Sequence, residues 1–183
     1  MTIPVKERPN WPVLQQWDEY LLVLEFLESQ PVNDVLEIGV AHGGTLMGWA
    51  SIWPTARIMG VDIDLGQLAQ DYFLWFVDAN PDAKLLLAEG PSDDELVVRK
   101  VQDNFPTGID FLFIDGDHTY EAAERDFNNY APLVRPGGWI ALHDASGPHA
   151  CARFWENIRG NYPQRIEIAL ADEHYCGFGL VKV

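Results

Sequence analysis

The sequence predicts an α/β domain in which helices cover both faces of a doubly wound, mostly parallel seven-stranded sheet that ends in a C-terminal antiparallel hairpin. Three observations support this prediction. Five short apolar runs alternate along the chain with segments of helical periodicity, which is the pattern of a parallel sheet. The runs are apolar throughout, as expected of strands buried on both faces. The last two apolar runs leave no room for a helix between them and therefore predict antiparallel pairing.

The first elements are a helix and a strand that ends at a glycine. Apolar residues recur at helical spacing over residues 13–29, and we expect residues 1–30 to form a helical cap on a single domain spanning residues 1–183. The run DVLEIGV (34–40) predicts a strand. The segment HGGTLMGWASIWP (42–54), with small residues and a proline near its end, predicts a helix.

The same alternation of strand and helix then continues to residue 160. The segment SDDE has the form of a capping box, so Ser92 and Glu95 are expected to begin a helix that runs to Asn104. Two further runs, QRIEIALAD (164–172) and CGFGLVKV (176–183), supply the hairpin. The remaining strands are predicted at 56–64, 83–90, 109–115 and 137–144, and the remaining helices at 65–79, 92–104, 119–134 and 149–160.

Length, charge and cysteine content restrict the class of protein. The 183 residues suffice for one domain with a sizeable core. A net charge of −16 makes nucleic acid and anionic membranes unfavourable partners. Cys151 and Cys176 have no metal-type spacing, and the N-terminus lacks the apolar core of a signal peptide, so we expect a reduced, cytoplasmic protein. Seven tryptophans are compatible with a homodimer that buries part of the aromatic surface.

Polar residues and glycines follow each of the five parallel strands, at the point where the strand ends. In an open α/β sheet, ligands bind beyond the carboxyl ends of the strands because loops and helix N-termini converge there. We therefore expect one rim of the sheet to gather five groups: Glu37 with Gly39, Asp62 with Asp64, Gly90 with Ser92, Asp115 to His118, and His143 with Asp144.

The segment EIGVAHGGT, after the first strand, resembles a nucleotide-binding turn. Its glycines let a ligand approach the backbone, and the following helix presents free amides. The spacing of Gly39, Gly43 and Gly44 lacks the Gly-x-Gly opening of the dinucleotide fingerprint, which counts against a nicotinamide-dependent oxidoreductase. Asp62 ends the second strand, where a carboxylate is well placed to accept hydrogen bonds from both ribose hydroxyls of an adenosine.

Five motifs in order carry a family resemblance: VLEIGVAHGG, GVDID, AEGPS, FIDGDHTYE and LVRPGGWIALHD. Together they resemble the motifs of class I S-adenosylmethionine-dependent methyltransferases, which have a Rossmann-like fold. More narrowly, the chain is similar to the small-molecule O-methyltransferase branch that includes macrocin-type sugar methyltransferases and cephalosporin-hydroxylase-like proteins. The resemblance covers roughly residues 33–183, and the ordered set is more specific than any single motif.

The resemblance implies a role for each residue group on the rim. The cofactor would be S-adenosylmethionine, and a divalent metal, Mg²⁺ or Mn²⁺, would assist the reaction. The implied cofactor-binding residues are Glu37, Gly39 and Gly43 for the methionine part, Asp62 for the ribose, Gly90 and Ser92 beside the adenine, and Asp115. The implied metal ligands are Asp115, His143 and Asp144, and the implied catalytic base is His118.

One position departs from the family pattern. The first of the two adjacent metal ligands is generally an oxygen donor in metal-dependent relatives, whereas this sequence has His143 there. An imidazole makes Mn²⁺, Fe²⁺, Co²⁺ or Zn²⁺ more competitive with Mg²⁺.

Each of these residues also has a structural interpretation. Asp115 has the position of a helix cap, and His118 that of a residue next to the helix N-terminus with no catalytic role. The alternative to metal binding by His143 and Asp144 is that Asp144 accepts hydrogen bonds from backbone amides of the next loop while His143 packs beside the cofactor. Asp117 either assists the site or fixes the turn.

The predicted function is an S-adenosylmethionine-dependent O-methyltransferase that transfers a methyl group to a hydroxyl of a small molecule, a sugar or natural product. Two alternatives stay open at this level. One is a cephalosporin-hydroxylase-like enzyme on the same fold, which the imidazole among the metal ligands favours. The other is a non-catalytic protein that binds S-adenosylmethionine or a nucleotide.

Overall fold

The computed structural model describes residues 13–79, 84–170 and 176–183 and confirms the predicted α/β fold. The first twelve residues of the predicted N-terminal cap lie outside the described residues. The helices are α1 (Trp17–Glu28), α2 (Gly44–Ile52), α3 (Gln67–Ala79), α4 (Glu95–Asn104), α5 (Tyr120–Tyr130) and α6 (Ala150–Ile158). The strands are β1 (Asp34–Ile38), β2 (Arg57–Asp62), β3 (Lys84–Glu89), β4 (Ile109–Ile114), β5 (Val134–His143), β6 (Arg165–Ile168) and β7 (Phe178–Lys182).

The seven strands form one sheet in the order β3-β2-β1-β4-β5-β7-β6. The first five are parallel, whereas β7 is antiparallel to both β5 and β6, as predicted for the hairpin. The chain winds outward from β1 to β3 and then returns to pair β4 with β1. The strand order therefore reverses between β1 and β4, which is where an open α/β sheet binds its ligand.

Helices pack on both faces of the sheet. Because successive residues of a strand point to opposite sides, each central strand contributes to the core on both faces. On β4, Phe111 and Phe113 join the apolar cluster that contains residues of α1, α2 and α3. Leu112 and Ile114 join the second cluster, with residues of α4, α5 and α6. Within the described part of the chain, every helix is too short or too polar to cross a membrane.

The N-terminus of α4 corrects one prediction from the sequence. The capping box assigned to Ser92 and Glu95 is wrong, because Asp94 is the N-cap and its side chain accepts hydrogen bonds from the amides of Leu96 and Val97. The Ser92 hydroxyl instead donates to Asp126 on α5, at 2.5 Å. Aspartate and serine cap helices about equally well, so the tertiary contact with Asp126 decides between them.

The pairing of β5 with β7 continues beyond the strand ends toward the rim of the sheet. The Ala145 amide donates to the Gly177 carbonyl at 3.2 Å, and the Ser146 amide donates to the Cys176 carbonyl at 3.0 Å. The Gly177 amide is bound in turn by the buried carboxylate of Glu19 on α1, which also accepts from the amide of Leu170. The start of the last strand is thus fixed both to the end of β5 and to α1.

Candidate active site

Two connected cavities lie beyond the carboxyl ends of β1, β2, β4 and β5. The first, which we call the histidine cavity, has a volume of about 260 Å³, and the second, the Asp62 cavity, about 380 Å³. Their walls share Gly39, Ala41, Asp115 and His118. The histidine cavity is further lined by Gln15, Thr45, His143, Asp144, His149 and Cys176, and the Asp62 cavity by Asp62, Ile63, Ser92, Asp93, Asp117 and Asp126.

The glycine turn between β1 and α2 packs directly against the end of β4. Gly39 has φ +88°, and its amide donates to the Val61 carbonyl at 2.8 Å. A Cβ atom added at this position would lie 2.0 Å from the backbone oxygen of Asp115. Only glycine fits here, because a side chain would collide with the strand that carries the predicted metal ligand.

Asp62 holds the same turn from the side of β2. Its Oδ2 accepts hydrogen bonds from the amides of Val40, at 2.7 Å, and Ala41, at 2.8 Å. Ala41 has φ +46°, a conformation that non-glycine residues rarely adopt, and the bond to Asp62 helps to stabilise it. Asp62 therefore shapes the turn and also faces the cavity that bears its name.

Glu37 lies beneath the turn and is completely buried. Its two carboxyl oxygens accept hydrogen bonds from Thr45 Oγ1, at 2.6 Å, and Trp49 Nε1, at 2.7 Å, both on α2. Burial raises the pKa of Glu37 from its ordinary value of 4.5 to about 8; the two hydrogen bonds lower it, and the charge of Asp115 raises it. The carboxyl group is therefore largely protonated at pH 7, in which state its O–H donates to Thr45 Oγ1 while its other oxygen accepts from Trp49, and it ties β1 to α2.

Replacing Glu37 with Gln is expected to remove a pH dependence of stability. With a folded pKa of about 8 and an unfolded one near 4.5, Glu37 takes up a proton on folding throughout that range, so its contribution to stability is lost as pH rises from 4.5 to 8. The loss is about 4 kcal/mol. In Glu37→Gln, the amide oxygen still accepts from Trp49, and the Thr45 hydroxyl is able to accept from the amide nitrogen.

Urea unfolding of both proteins at several pH values between 5 and 8 measures this difference. The wild-type free energy of unfolding should fall relative to that of Glu37→Gln as pH rises. Parallel curves would show that Glu37 is ionised in the folded protein. The comparison subtracts the contribution of other titrating groups, which both proteins share.

Four titratable residues converge where the two cavities meet. His118 Nδ1 lies 2.6 Å from Asp144 Oδ2, and His118 Nε2 lies 3.8 Å from Asp115 Oδ1. His143 Nδ1 lies 3.0 Å from Asp115 Oδ1 and 3.5 Å from Asp144 Oδ1. Three of the four side chains are almost completely buried, namely those of His143, Asp144 and Asp115. The side chain of His118, in contrast, is 59% exposed. Because carboxylates only accept, His143 Nδ1 donates its N–H to Asp115, whereas His118 Nδ1 is in close contact with Asp144.

The electrostatic environment shifts the pKa of three members of this cluster. The hydrogen bond to Asp144 is the main cause of a raised pKa for His118, which burial opposes. Burial acts to lower the pKa of His143, but the charge and hydrogen bond of Asp115 raise it overall. Burial also acts to raise the pKa of Asp144, yet the hydrogen bond from His118 and the charge of His143 bring it down to about 2.

Not every sequence-predicted site residue lines a cavity. Seven of the predicted residues line one or both of the described cavities: Gly39, Asp62, Ser92, Asp115, His118, His143 and Asp144. Three do not line either of these cavities: Glu37, Gly43 and Gly90. Gly43 is the N-cap of α2, with φ +79°, and the Gly90 amide donates to the Asp62 carbonyl. Asp117 accepts from the Thr119 amide and also faces the Asp62 cavity. The ligand-binding roles assigned to all these residues stay predictions.

Three residues of the site were not found from the sequence. Gln15, in the segment before α1, donates to Asp115 Oδ2 at 2.5 Å and covers the histidine cavity. Asp126 reaches the Asp62 cavity from α5. Cys176 reaches the histidine cavity from the start of the last strand, and its approach to Asp144 was deducible only from the register of the predicted antiparallel pairing.

Solved structures with the same fold are methyltransferases. The chain superposes on the O-methyltransferase TomG from Streptomyces achromogenes, in complex with S-adenosylmethionine, with a TM-score of 0.70, 18% identity and coverage of 96% of this chain and 82% of that one. It superposes on MycE from the mycinamycin biosynthetic pathway, in complex with Mg and S-adenosylhomocysteine, with a TM-score of 0.60, 20% identity and coverage of 93% of this chain and 50% of that one.

Among curated proteins, the chain is 29% identical over 126 residues to an 8-demethyl-8-(2-methoxy-α-L-rhamnosyl)-tetracenomycin-C 3′-O-methyltransferase from Streptomyces olivaceus. The match covers 64% of this chain and 29% of that protein. The chain spans less than a third of the length of the curated relatives that it matches.

A family model described as a methyltransferase domain matches residues 36–145, which is more than half of the chain. The matched region runs from β1 to the end of β5 and includes the glycine turn, Asp62, Asp115, His118 and Asp144. The predicted enzyme class is confirmed at the level of the family. The chain therefore belongs to the methyltransferase domain family.

Proposed function

We propose that this protein is an S-adenosylmethionine-dependent O-methyltransferase that methylates a hydroxyl group of a sugar or natural product with the help of a divalent metal. The observation that carries the proposal is the position of His118, held at 2.6 Å by Asp144 where the two cavities meet. A base at this junction faces both a cofactor in one cavity and an acceptor in the other. The similarity to the tetracenomycin 3′-O-methyltransferase supports a sugar hydroxyl as the acceptor.

The Asp62 cavity fits the nucleoside part of the cofactor. It opens at the reversal of strand order, and the Asp62 carboxylate offers acceptor sites for the ribose hydroxyls. Exposed Ile63 would provide an apolar surface for the adenine, and Ser92 and Asp126 line the same cavity. The ring of acidic side chains around both cavities favours a ligand that carries the positive charge of a sulfonium.

The donor groups of the site fit a divalent metal. Asp115, His118 and Asp144 each place a ligand atom within 4.8 Å of the other two, and the buried Nδ1 of His143 faces the carboxylates of Asp115 and Asp144. Asp115, His143 and Asp144 would hold the ion, in agreement with the family resemblance. When bound, such an ion makes a hydroxyl group near it more acidic.

His118 would remove the proton from the acceptor. With Nδ1 held against the Asp144 carboxylate, the proton of the neutral ring would lie on Nδ1, and the lone pair of Nε2 would accept a proton from the acceptor hydroxyl. Asp144 is ionised and nearly buried, so it fixes the ring and stabilises the imidazolium that forms. Gln15, bound to Asp115, lines the histidine cavity just before α1.

Calorimetric titration of S-adenosylhomocysteine tests the cofactor assignment. We expect saturable binding of S-adenosylhomocysteine and not of NAD, with a loss of about 100-fold in affinity in Asp62→Ala, since two hydrogen bonds to the ribose disappear. Asp71→Ala, at an exposed position of α3, is the matched control and should bind like the wild type. Absence of S-adenosylhomocysteine binding, or equal binding of NAD, would contradict the proposal.

A further inference from the structure

We propose that Cys176, His143 and Asp144 form a site for a thiophilic divalent cation, of the class of Zn²⁺ or Co²⁺. The three residues each place a ligand atom within 4.8 Å of the other two. The inference rests on the proposed metal site and changes its ligand set, because the thiol of Cys176 enters it and Asp115 becomes the group that orients His143.

The backbone holds Cys176 against Asp144. The extension of the β5–β7 pairing sets the Cys176 carbonyl opposite the Ser146 amide and the Gly177 carbonyl opposite the Ala145 amide. Asp144 comes directly before Ala145 and Ser146 and has φ +54°, so the chain turns sharply there. The Glu19 carboxylate, bound to the Gly177 amide, fixes the same point from α1. The backbone that carries the thiol is therefore fixed by both the extension of β5 and α1.

The ring of His143 has a second nitrogen, Nε2, that is buried and available to ligate a cation. Its Nδ1 donates to Asp115, which leaves the lone pair on Nε2. The His143 side chain is only 7% exposed, and Nε2 has no hydrogen-bond partner among the described residues. A buried unpaired nitrogen is costly. Histidines that ligate metals typically donate their second N–H to a carboxylate, which is the arrangement of His143 and Asp115.

The chemistry of these donors selects the kind of cation. Zn²⁺ and Co²⁺ bind thiolate, imidazole and carboxylate together, and catalytic Zn²⁺ sites use three protein ligands with one open position. Mg²⁺ requires oxygen ligands in a nearly octahedral arrangement and binds thiolate poorly. On binding, the cation replaces the proton of the Cys176 thiol, which is released to the solvent. The ligand set therefore disfavours Mg²⁺.

Titration of the chelator-treated full chain with Co²⁺ tests this site without any assay of activity. Thiolate ligation produces a charge-transfer absorption in the near ultraviolet, which we expect in the wild type and not in Cys176→Ser. The affinity for Zn²⁺, measured by competition with a chromophoric chelator, should fall by about 100-fold in Cys176→Ser. Cys151→Ser is the matched control, because the Cys151 sulfur faces the Thr119 carbonyl at 3.9 Å and belongs to neither group of ligands.

Competition between metals in the wild type gives a second test that does not depend on any variant. Zn²⁺ should displace Mg²⁺ even when Mg²⁺ is in large excess. A charge-transfer band that persists in Cys176→Ser, or preferential binding of Mg²⁺ by the wild type, would overturn the inference. Titration of S-adenosylhomocysteine into the same samples separates the two proposals, since intact binding with no cobalt–thiolate band contradicts only the present one.

Discussion

Gly39→Ala is expected to lose most of its folding stability and its capacity to bind S-adenosylhomocysteine. The added Cβ would lie 2.0 Å from the Asp115 oxygen, 2.4 Å from the Asp115 carbonyl carbon and 2.7 Å from the Cα of Gly116. All three atoms belong to the backbone and cannot move aside as a flexible side chain does. Relief requires separating β1 from β4, where the Asp115 amide donates to the Ile38 carbonyl. We expect a loss of about 4 kcal/mol or more in urea unfolding.

Gly43→Ala distinguishes this collision from the cost of the backbone conformation alone. Gly43 also has a positive φ, +79°, but an added Cβ would meet only Ala69, at 3.8 Å. Its expected cost is the ordinary one of a left-handed residue, about 1–2 kcal/mol. Equal losses in the two variants would show that the tight approach of Gly39 to β4 does not limit stability.

His118→Ala is expected to lower kcat by about 10²–10⁴ while leaving the affinity for S-adenosylhomocysteine nearly unchanged. The reason is that His118 would act on the acceptor proton and contributes little to holding the nucleoside. Turnover is measured as S-adenosylhomocysteine formed, with an acceptor found by screening hydroxylated sugars and natural products. In the wild type, kcat should decrease as pH falls through the raised pKa of His118, because the protonated ring accepts no further proton.

Exogenous imidazole separates a chemical role of His118 from a structural one. The side chain is 59% exposed, so its removal leaves a space that a small base can enter from solvent. Added imidazole should restore part of the activity of His118→Ala, and the restored rate should depend on the pKa of the added base. If no base restores activity and the thermal midpoint has fallen, then His118 serves only to pair Asp144.

The strands and the rim of the sheet were predictable because they depend on local patterns. Apolar runs buried on both faces, such as residues 109–114, predict parallel strands, and the topology then places the strand-end acids, Asp62 and Asp115 among them, on one rim. The same reasoning found His118 and Asp144, since both follow strands closely in sequence.

The contacts that escaped prediction join residues far apart in sequence. Gln15 and Asp115 are 100 positions apart, and Cys176 reaches Asp144 only through the exact register of an antiparallel pair. Glu37 was assigned to the cofactor, but its side chain bonds to Thr45 and Trp49 on the next helix. From the sequence, the side chain of a buried strand residue such as Glu37 could point either toward the ligand or toward a neighbouring helix, and only the packing decides between the two.

The attachment of Glu19 to the backbone at both ends of the β6–β7 connection has a consequence for protein engineering. Hydrogen bonds to main-chain amides survive any substitution except proline at the donor residue. Leu170 is 39% exposed and is therefore open to substitution, since its anchor does not depend on the side chain. Gly177 is not, because its φ is +63° and a Cβ would lie 2.4 Å from Ser146 Oγ. Of the two residues whose amides bind Glu19, only Leu170 therefore tolerates a change of side chain.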